Sequence, residues 1–278
     1  MLKDLRYLRV CHYLIWGILG ATLRPHNLEF KIPLFQDFVF TIFAIILGIL
    51  FSIITNNIFD AEIDQISNPN RPLIKKEIGL KEYKLYGFLS LFFSMVFSLM
   101  VNLEIFLLNG LFIFAYFIYS APPFRLKRVP IFSKWVIGFN SLVLLNMGRI
   151  LIYPNNLLPL IPSLLIIVGV GLIANFIDLK DIEGDRIGKI NTLPVLLGET
   201  WAKNLVGTFF LIIYPASLVL LIPYFHSSFL MTYFLPIMIF VGLCQFFLVK
   251  REDYNEVPIF WLNNLTVLSV ALCLLKSF

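Results

Sequence analysis

Long apolar runs alternate with short polar stretches along the whole chain. A bilayer core about 30 Å thick needs roughly 20 apolar residues in a helix. Nine windows meet that need: 7–23, 38–59, 84–102, 104–121, 132–152, 157–178, 203–223, 229–249 and 257–276. The pattern predicts an all-α, polytopic membrane bundle of about nine transmembrane helices, with residues 1–278 forming one domain. The third and fourth windows meet at Asn102–Glu104, which leaves room for only a very short connection. Pro154, Pro159 and Pro162 mark the fifth connection. Pro215, Pro223 and Pro236 kink the later spans, where neighbouring helices re-satisfy freed backbone groups.

Composition agrees with the pattern. Of 278 residues 59% are apolar and 14% charged, and mean hydropathy is +0.86. A soluble domain lies nearer half apolar and a quarter charged. The excess requires side chains that face lipid, and the 29 Phe supply bulky packing surface. Cys11, Cys244 and Cys273 stand singly and far apart, so neither a zinc site nor a disulfide framework is indicated. His12, His26 and His226 are equally scattered and read as packing or interfacial residues. The N-terminal Lys3, Arg6 and Arg9 precede an apolar run without a small-residue cleavage site, which reads as a retained first span.

The net charge of +5 could suggest nucleic acid, but the basic residues punctuate apolar spans instead of forming an arm or patch, so no nucleic-acid partner is expected. Eighteen of the 22 Lys and Arg fall on one side of the predicted bundle. The other side holds only Arg24, Lys31 and Lys276, while Arg149 lies inside a span. The positive-inside rule then puts the N-terminus and the long loops in the cytoplasm. The absence of a transit peptide points to a prokaryotic plasma membrane. Arg149 has two readings: it reaches a site from within the fifth span, or it snorkels to the outer surface.

Acidic residues carry the chemistry. Of 17 Asp and Glu, seven sit in two stretches at the cytoplasmic ends of the second and sixth spans. One runs Asn56, Asp60, Glu62, Asp64; the other Asp178, Asp181, Glu183, Asp185. Each continues into a basic loop containing Asn and Pro, giving acidic cap loops at about 60–82 and 178–202. An offset of 121 residues aligns Asp60 with Asp181 and Asp64 with Asp185, a weak internal repeat of two halves. In a continuous helix Asn56, Asp60 and Asp64 fall within an arc of roughly 80°, and Asp178, Asp181 and Asp185 within about 60°.

Oxygen ligands without His or Cys select a hard cation, and Mg2+ completes its shell with waters and substrate phosphates. Two acidic faces meeting at one membrane surface would clamp a Mg2+–diphosphate, with Asp64, Asp181 and Asp185 as the catalytic carboxylates. Arg71, Arg125, Lys127, Arg128, Arg186 and Lys189 in the neighbouring loops supply the cations for the diphosphate oxygens. Its departure would leave an allylic carbocation, which needs a dry, aromatic-lined chamber. The bland alternative, solvated helix ends with surface salt bridges, fits one acidic cluster better than two clusters on the same side.

At these residues the chain resembles the UbiA superfamily of intramembrane prenyltransferases, with nine transmembrane helices and two Asp-rich motifs, NxxxDxxxD and DxxxD. Here they read Asn56/Asp60/Asp64 and Asp181/Asp185, extended by Asp178. The stretches DAEIDQISNPNRPL, YSAPPFRLKR and DLKDIEGDRIGKINTLPVLLG carry the resemblance. It implies transfer of a polyprenyl group from an isoprenyl diphosphate donor to a lipophilic or aromatic acceptor, with the donor tail open toward membrane lipid. It implies Mg2+, two ions, held by the acidic motifs, with Arg71 and Lys127 as diphosphate contacts and Tyr119 helping to hold the site. Arg128 and Lys189 are added to the diphosphate set from their place in the loops. Asn57 stands where the family commonly has Asp, so hydrogen bonding around the site should differ. The stretches look closer to the branch of chlorophyll synthase, homogentisate, dihydroxynaphthoate and digeranylgeranylglyceryl phosphate enzymes than to 4-hydroxybenzoate or protohaem transferases.

Other readings stay open. A UbiA-type terpene cyclase, in which the cation closes on itself, or a phosphosugar prenyltransferase keeps the fold and changes the chemistry. A secondary transporter fits intramembrane acids and a two-half repeat, although its site should lie near the midplane. A structural membrane subunit would tolerate acidic substitutions. No DG…AR run precedes an acidic pair, which disfavours a CDP-alcohol transferase.

Overall fold

The computed structural model describes residues 7–24, 32–129, 132–221 and 228–276. Lys3, Arg6, His26, Lys31, Pro223 and His226 lie outside the described residues. Among the described residues all regular structure is helical. Helices α1 (Tyr7–Thr22), α2 (Phe35–Phe59), α3 (Ala61–Ser67), α4 (Leu80–Val101), α5 (Leu103–Ser120) and α6 (Phe132–Ile152) lead the chain. Then come α7 (Leu160–Ile173), short α8 (Ile182–Ile187) and α9 (Leu193–Leu197), and long α10 (Glu199–Leu221), α11 (Ser228–Lys250) and α12 (Glu256–Lys276). Among the described residues, six segments are long and apolar enough to cross a membrane: α2, α4, α5, α6, Leu160–Lys180 and Glu256–Leu275. The chain is an integral membrane protein. Phe88, Phe92, Leu103, Phe114, Leu160 and Phe240 face outward, as lipid-facing side chains must.

The connection between α4 and α5 is the single residue Asn102, whose side chain accepts from the Ile105 backbone N–H at 2.8 Å. This caps α5 at once, which is how so short a link is possible. Helix α6 is the most buried span, and two apolar clusters form around it. One joins Tyr13, Ile49, Phe112 and Met147; the other joins Leu145, Phe176, Phe210, Met238 and Phe260. Helices α1 and α6 cross with backbones in contact. A Cβ on Gly148 would meet the Gly17 carbonyl, and one on Gly20 would meet the Leu145 carbonyl. Small residues allow such approaches between membrane helices. Elsewhere polar groups join the spans: Asn109 donates to Ser94 Oγ at 2.9 Å, and Ser94 Oγ donates to the Ala44 carbonyl at 2.7 Å.

The acidic stretches depart from the continuous helices that their spacing suggested. α2 ends at Phe59, and Asp60, at φ −104° and ψ 6°, turns the chain into α3. After α7 the chain tightens into a 3-10 stretch, Ala174–Lys180, and Asp181, at φ −106° and ψ 15°, turns it into α8. The two residues matched by the internal repeat therefore make the same bend. Backbone hydrogen bonds repeat as well: Asp64 N–H to Asp60 O and Asp185 N–H to Asp181 O, both 2.8 Å. α3 and α8 meet, with Ile63 against Gly188.

Candidate active site

A cavity of about 930 Å³ runs from these two bends down among α1, α7, α10 and α12. All six acidic-motif residues, Asn56, Asp60, Asp64, Asp178, Asp181 and Asp185, line it. So do Arg71, Lys127 and Tyr119. Arg128 and Lys189, expected at the diphosphate, are exposed and stand outside the cavity wall. Both sit where the backbone points a flexible basic side chain to solvent: Arg128 ends a short turn, and Lys189 has φ +53° beyond α8.

The first motif is matched by cations. Arg71 pairs with Asp64, which also accepts from Asn68 at 3.1 Å. Lys127 pairs with Asp60, and Arg125 reaches the same carboxylate at 3.2 Å while donating to the Phe59 carbonyl at 2.9 Å. Asn56 donates to the other Asp60 oxygen. Burial pulls the Lys127 ammonium down in pKa, and Asp60 pulls it partly back.

The second motif is not matched. Lys134, near the start of α6, holds Asp178 Oδ1 at 2.5 Å. Asp178 Oδ2 and Asp185 Oδ2 are buried with no hydrogen-bond partner. Burial, then the neighbouring Asp178 and Asp181 charges, lifts the Asp185 carboxyl to about 7. Burial raises Asp181 as well, with nearby Lys180 opposing the shift. Among the described residues, no three Asp, Glu, His or Cys side chains are close enough to hold a metal by themselves. The donor set instead fits Mg2+, which takes one or two carboxylates and fills its shell with phosphate and water oxygens.

Below the acidic rim the wall turns aromatic. Tyr13, Tyr116 and Tyr119 follow one another edge to face, with centroids 6.0 Å and 6.1 Å apart. Asn57 is turned away from the cavity and donates to the hydroxyl of fully buried Tyr83 at 2.8 Å, joining α2 to α4. Arg149 follows neither expected reading. It is 2% exposed and donates to the Asn156 side chain at 2.6 Å and to the Leu23 carbonyl, binding α6 to the end of α1 away from the acidic rim.

Comparison with known proteins accords with this geometry. The model of the UbiA prenyltransferase family matches residues 13–268. The chain belongs to the UbiA prenyltransferase family. A homogentisate phytyltransferase of Synechocystis is 28% identical over 198 residues, covering 66% of this chain and 63% of that enzyme. The digeranylgeranylglyceryl phosphate synthase of Methanocaldococcus jannaschii is 26% identical over 235 residues, covering 83% and 76%. The structure of a UbiA homolog from Archaeoglobus fulgidus bound to GPP and Mg2+ has a TM-score of 0.71 at 18% identity, over 99% of both chains. The apo structure of a UbiA homolog from Aeropyrum pernix K1 has a TM-score of 0.72 at 18% identity, over 95% and 97%. At that identity the likeness is one of fold.

Sequence reasoning missed several cavity residues of this UbiA-family protein. Lys134 opens an apolar window and reads in sequence as an ordinary span-end cation. Arg9 was counted only for topology, yet it lines the cavity. His12 reads as packing from sequence, but it lines the cavity with Asn263 and Tyr214, from three separate helices. No local pattern joins residues so distant in the chain.

Proposed function

We propose that this UbiA-family prenyltransferase transfers a prenyl group from an isoprenyl diphosphate to a lipophilic or aromatic acceptor, using two Mg2+ ions. The observation that carries the reading is the charge imbalance at the rim: carboxylates of the first motif are met by cations, while Asp178 and Asp185 each keep a buried oxygen without a partner. Leaving such oxygens bare is costly, and divalent cations would satisfy them. The Mg2+ and GPP bound to the Archaeoglobus fulgidus homolog support the same assignment.

In this reading Asn56, Asp60, Asp64, Asp178, Asp181 and Asp185 hold the metal–diphosphate. Held by these residues, Mg2+ would supply positive charge against the departing diphosphate. Arg71, Lys127 and Lys134 add fixed positive charge on the same wall. The Tyr13–Tyr116–Tyr119 ladder lines the cavity with aromatic rings, whose negative faces stabilise an allylic cation and whose bulk keeps water from it. The apolar windows support nine spans in one domain, and the asymmetry of Lys and Arg supports an N-terminus and acidic loops that face the cytoplasm.

Membranes carrying the protein, incubated with Mg2+ and radiolabelled farnesyl or geranylgeranyl diphosphate, should form a labelled lipid and release diphosphate. Asp64→Asn and Asp181→Asn should each abolish both. Mg2+-dependent diphosphate release that survives in either variant would contradict the assignment.

A further inference from the structure

Two lysines hold carboxylates on the cavity wall in the same way. Lys134 Nζ donates to Asp178 Oδ1 at 2.5 Å, and Asp178 Oδ2 stays bare. Lys180 Nζ donates to Glu256 Oε1 at 2.5 Å, and Glu256 Oε2 is likewise buried without a hydrogen-bond partner. All four side chains line the cavity. Asp178 extends the second acidic motif, whereas Glu256 belongs to neither motif and opens α12.

The local fold fixes where Glu256 stands. Tyr254, two residues earlier, donates its hydroxyl proton to the Phe176 carbonyl in the 3-10 stretch. Asn255 Oδ1 accepts from the Val257 backbone N–H at 2.9 Å and caps the start of α12. The first turn of α12 is thereby pressed against the segment that carries Asp178 and Asp181.

A carboxylate at a helix start with one lysine partner could simply tie two elements together. Such a tie would leave its second oxygen to water or to a donor, since a bare buried oxygen is costly. Among the described residues, the carboxylates with a bare buried oxygen are Asp178, Asp185 and Glu256, and all three line this one cavity. Asp178 is only 8% exposed, so its bare oxygen has the cavity rather than bulk solvent to face. Glu256 also adds its negative charge to that felt at Asp181. Positive charge entering the cavity would relieve all of them together.

We propose that Glu256 is a further carboxylate for the divalent cations of the diphosphate site, presented by α12 and aimed by Lys180. The proposal rests on the prenyl-transfer reading and adds a third element to the two acidic motifs. Among the described residues no three acidic side chains stand close enough to share one ion. Glu256 therefore serves a cation whose other places are filled by diphosphate and water oxygens.

The test is calorimetric titration of Mg2+ and inorganic diphosphate into the detergent-solubilised full chain, with melting temperature read before and after. Glu256→Gln should weaken binding about tenfold. It should leave the metal-free melting temperature unchanged or higher, because it removes a bare buried charge. Glu199→Gln, which breaks the exposed Glu199–Lys203 pair outside the cavity wall, should keep binding within about twofold. Unchanged affinity in Glu256→Gln overturns the proposal and leaves the prenyl-transfer reading standing. A loss of affinity accompanied by a lower metal-free melting temperature also overturns it, because the pair with Lys180 is then structural. A wild type that binds no Mg2+–diphosphate overturns the prenyl-transfer reading as well.

Discussion

Lys134 and Asp178 form a buried ion pair where the apolar bundle meets the rim, and such pairs are dangerous to break. Removing one member strands the other charge, at a cost of about 3–5 kcal/mol. Lys134→Met should therefore lower thermal stability in detergent, and adding Asp178→Asn should restore part of the loss; two additive losses would deny the pairing. Asp185 supplies a pH signature. With its carboxyl near 7 in the metal-free protein, it is protonated below that pH and must give up the proton to take a cation. Mg2+ affinity should fall about fivefold as pH drops from 7 to 6; a flat profile would remove Asp185 from the site. Of these groups the aspartates were legible in sequence, because clustered charge beside apolar spans has few structural uses. Lys134 was not, because a single basic residue at a span end is ordinary. His12 and Asn263 were not, because each is an uncharged polar position within an apolar span and belongs to no motif.

At the scale of elements, the spans were legible and their ends were not. Apolar windows locate helices, since every backbone group in lipid must be satisfied within the helix. They do not reveal that α2 breaks at Asp60 or that the chain tightens into a 3-10 stretch after Ile173. Those breaks decide the site: they turn Asp64 and Asp185 onto α3 and α8, which meet over the cavity. The crossing of α1 and α6 is equally invisible to hydropathy. Gly148→Ala would drive a Cβ into the Gly17 carbonyl, which belongs to a packed helix backbone. It should cost about 1–3 kcal/mol, read as a lower melting temperature. Gly110→Ala, whose Cβ would meet only Met95 Cε at 3.5 Å, should be nearly neutral. Equal effects would mean that the crossing is looser than described.

The whole molecule is two halves that bend alike, at Asp60 and at Asp181, and bring their acidic ends to one cavity mouth. Cations meet the carboxylates on one side and are short on the other. In the proposed reading a diphosphate carried with divalent metal sits at that mouth, the apolar tail of its donor lies below it, and both halves hold the metal. The claim is tested most directly by calorimetric titration of Mg2+ and inorganic diphosphate into the purified protein and into Asp64→Asn and Asp181→Asn. Binding should require both components in the wild type and weaken at least tenfold in each variant, because the ions are shared between halves. Wild-type affinity in either variant, or tight diphosphate binding without a divalent cation, would contradict it.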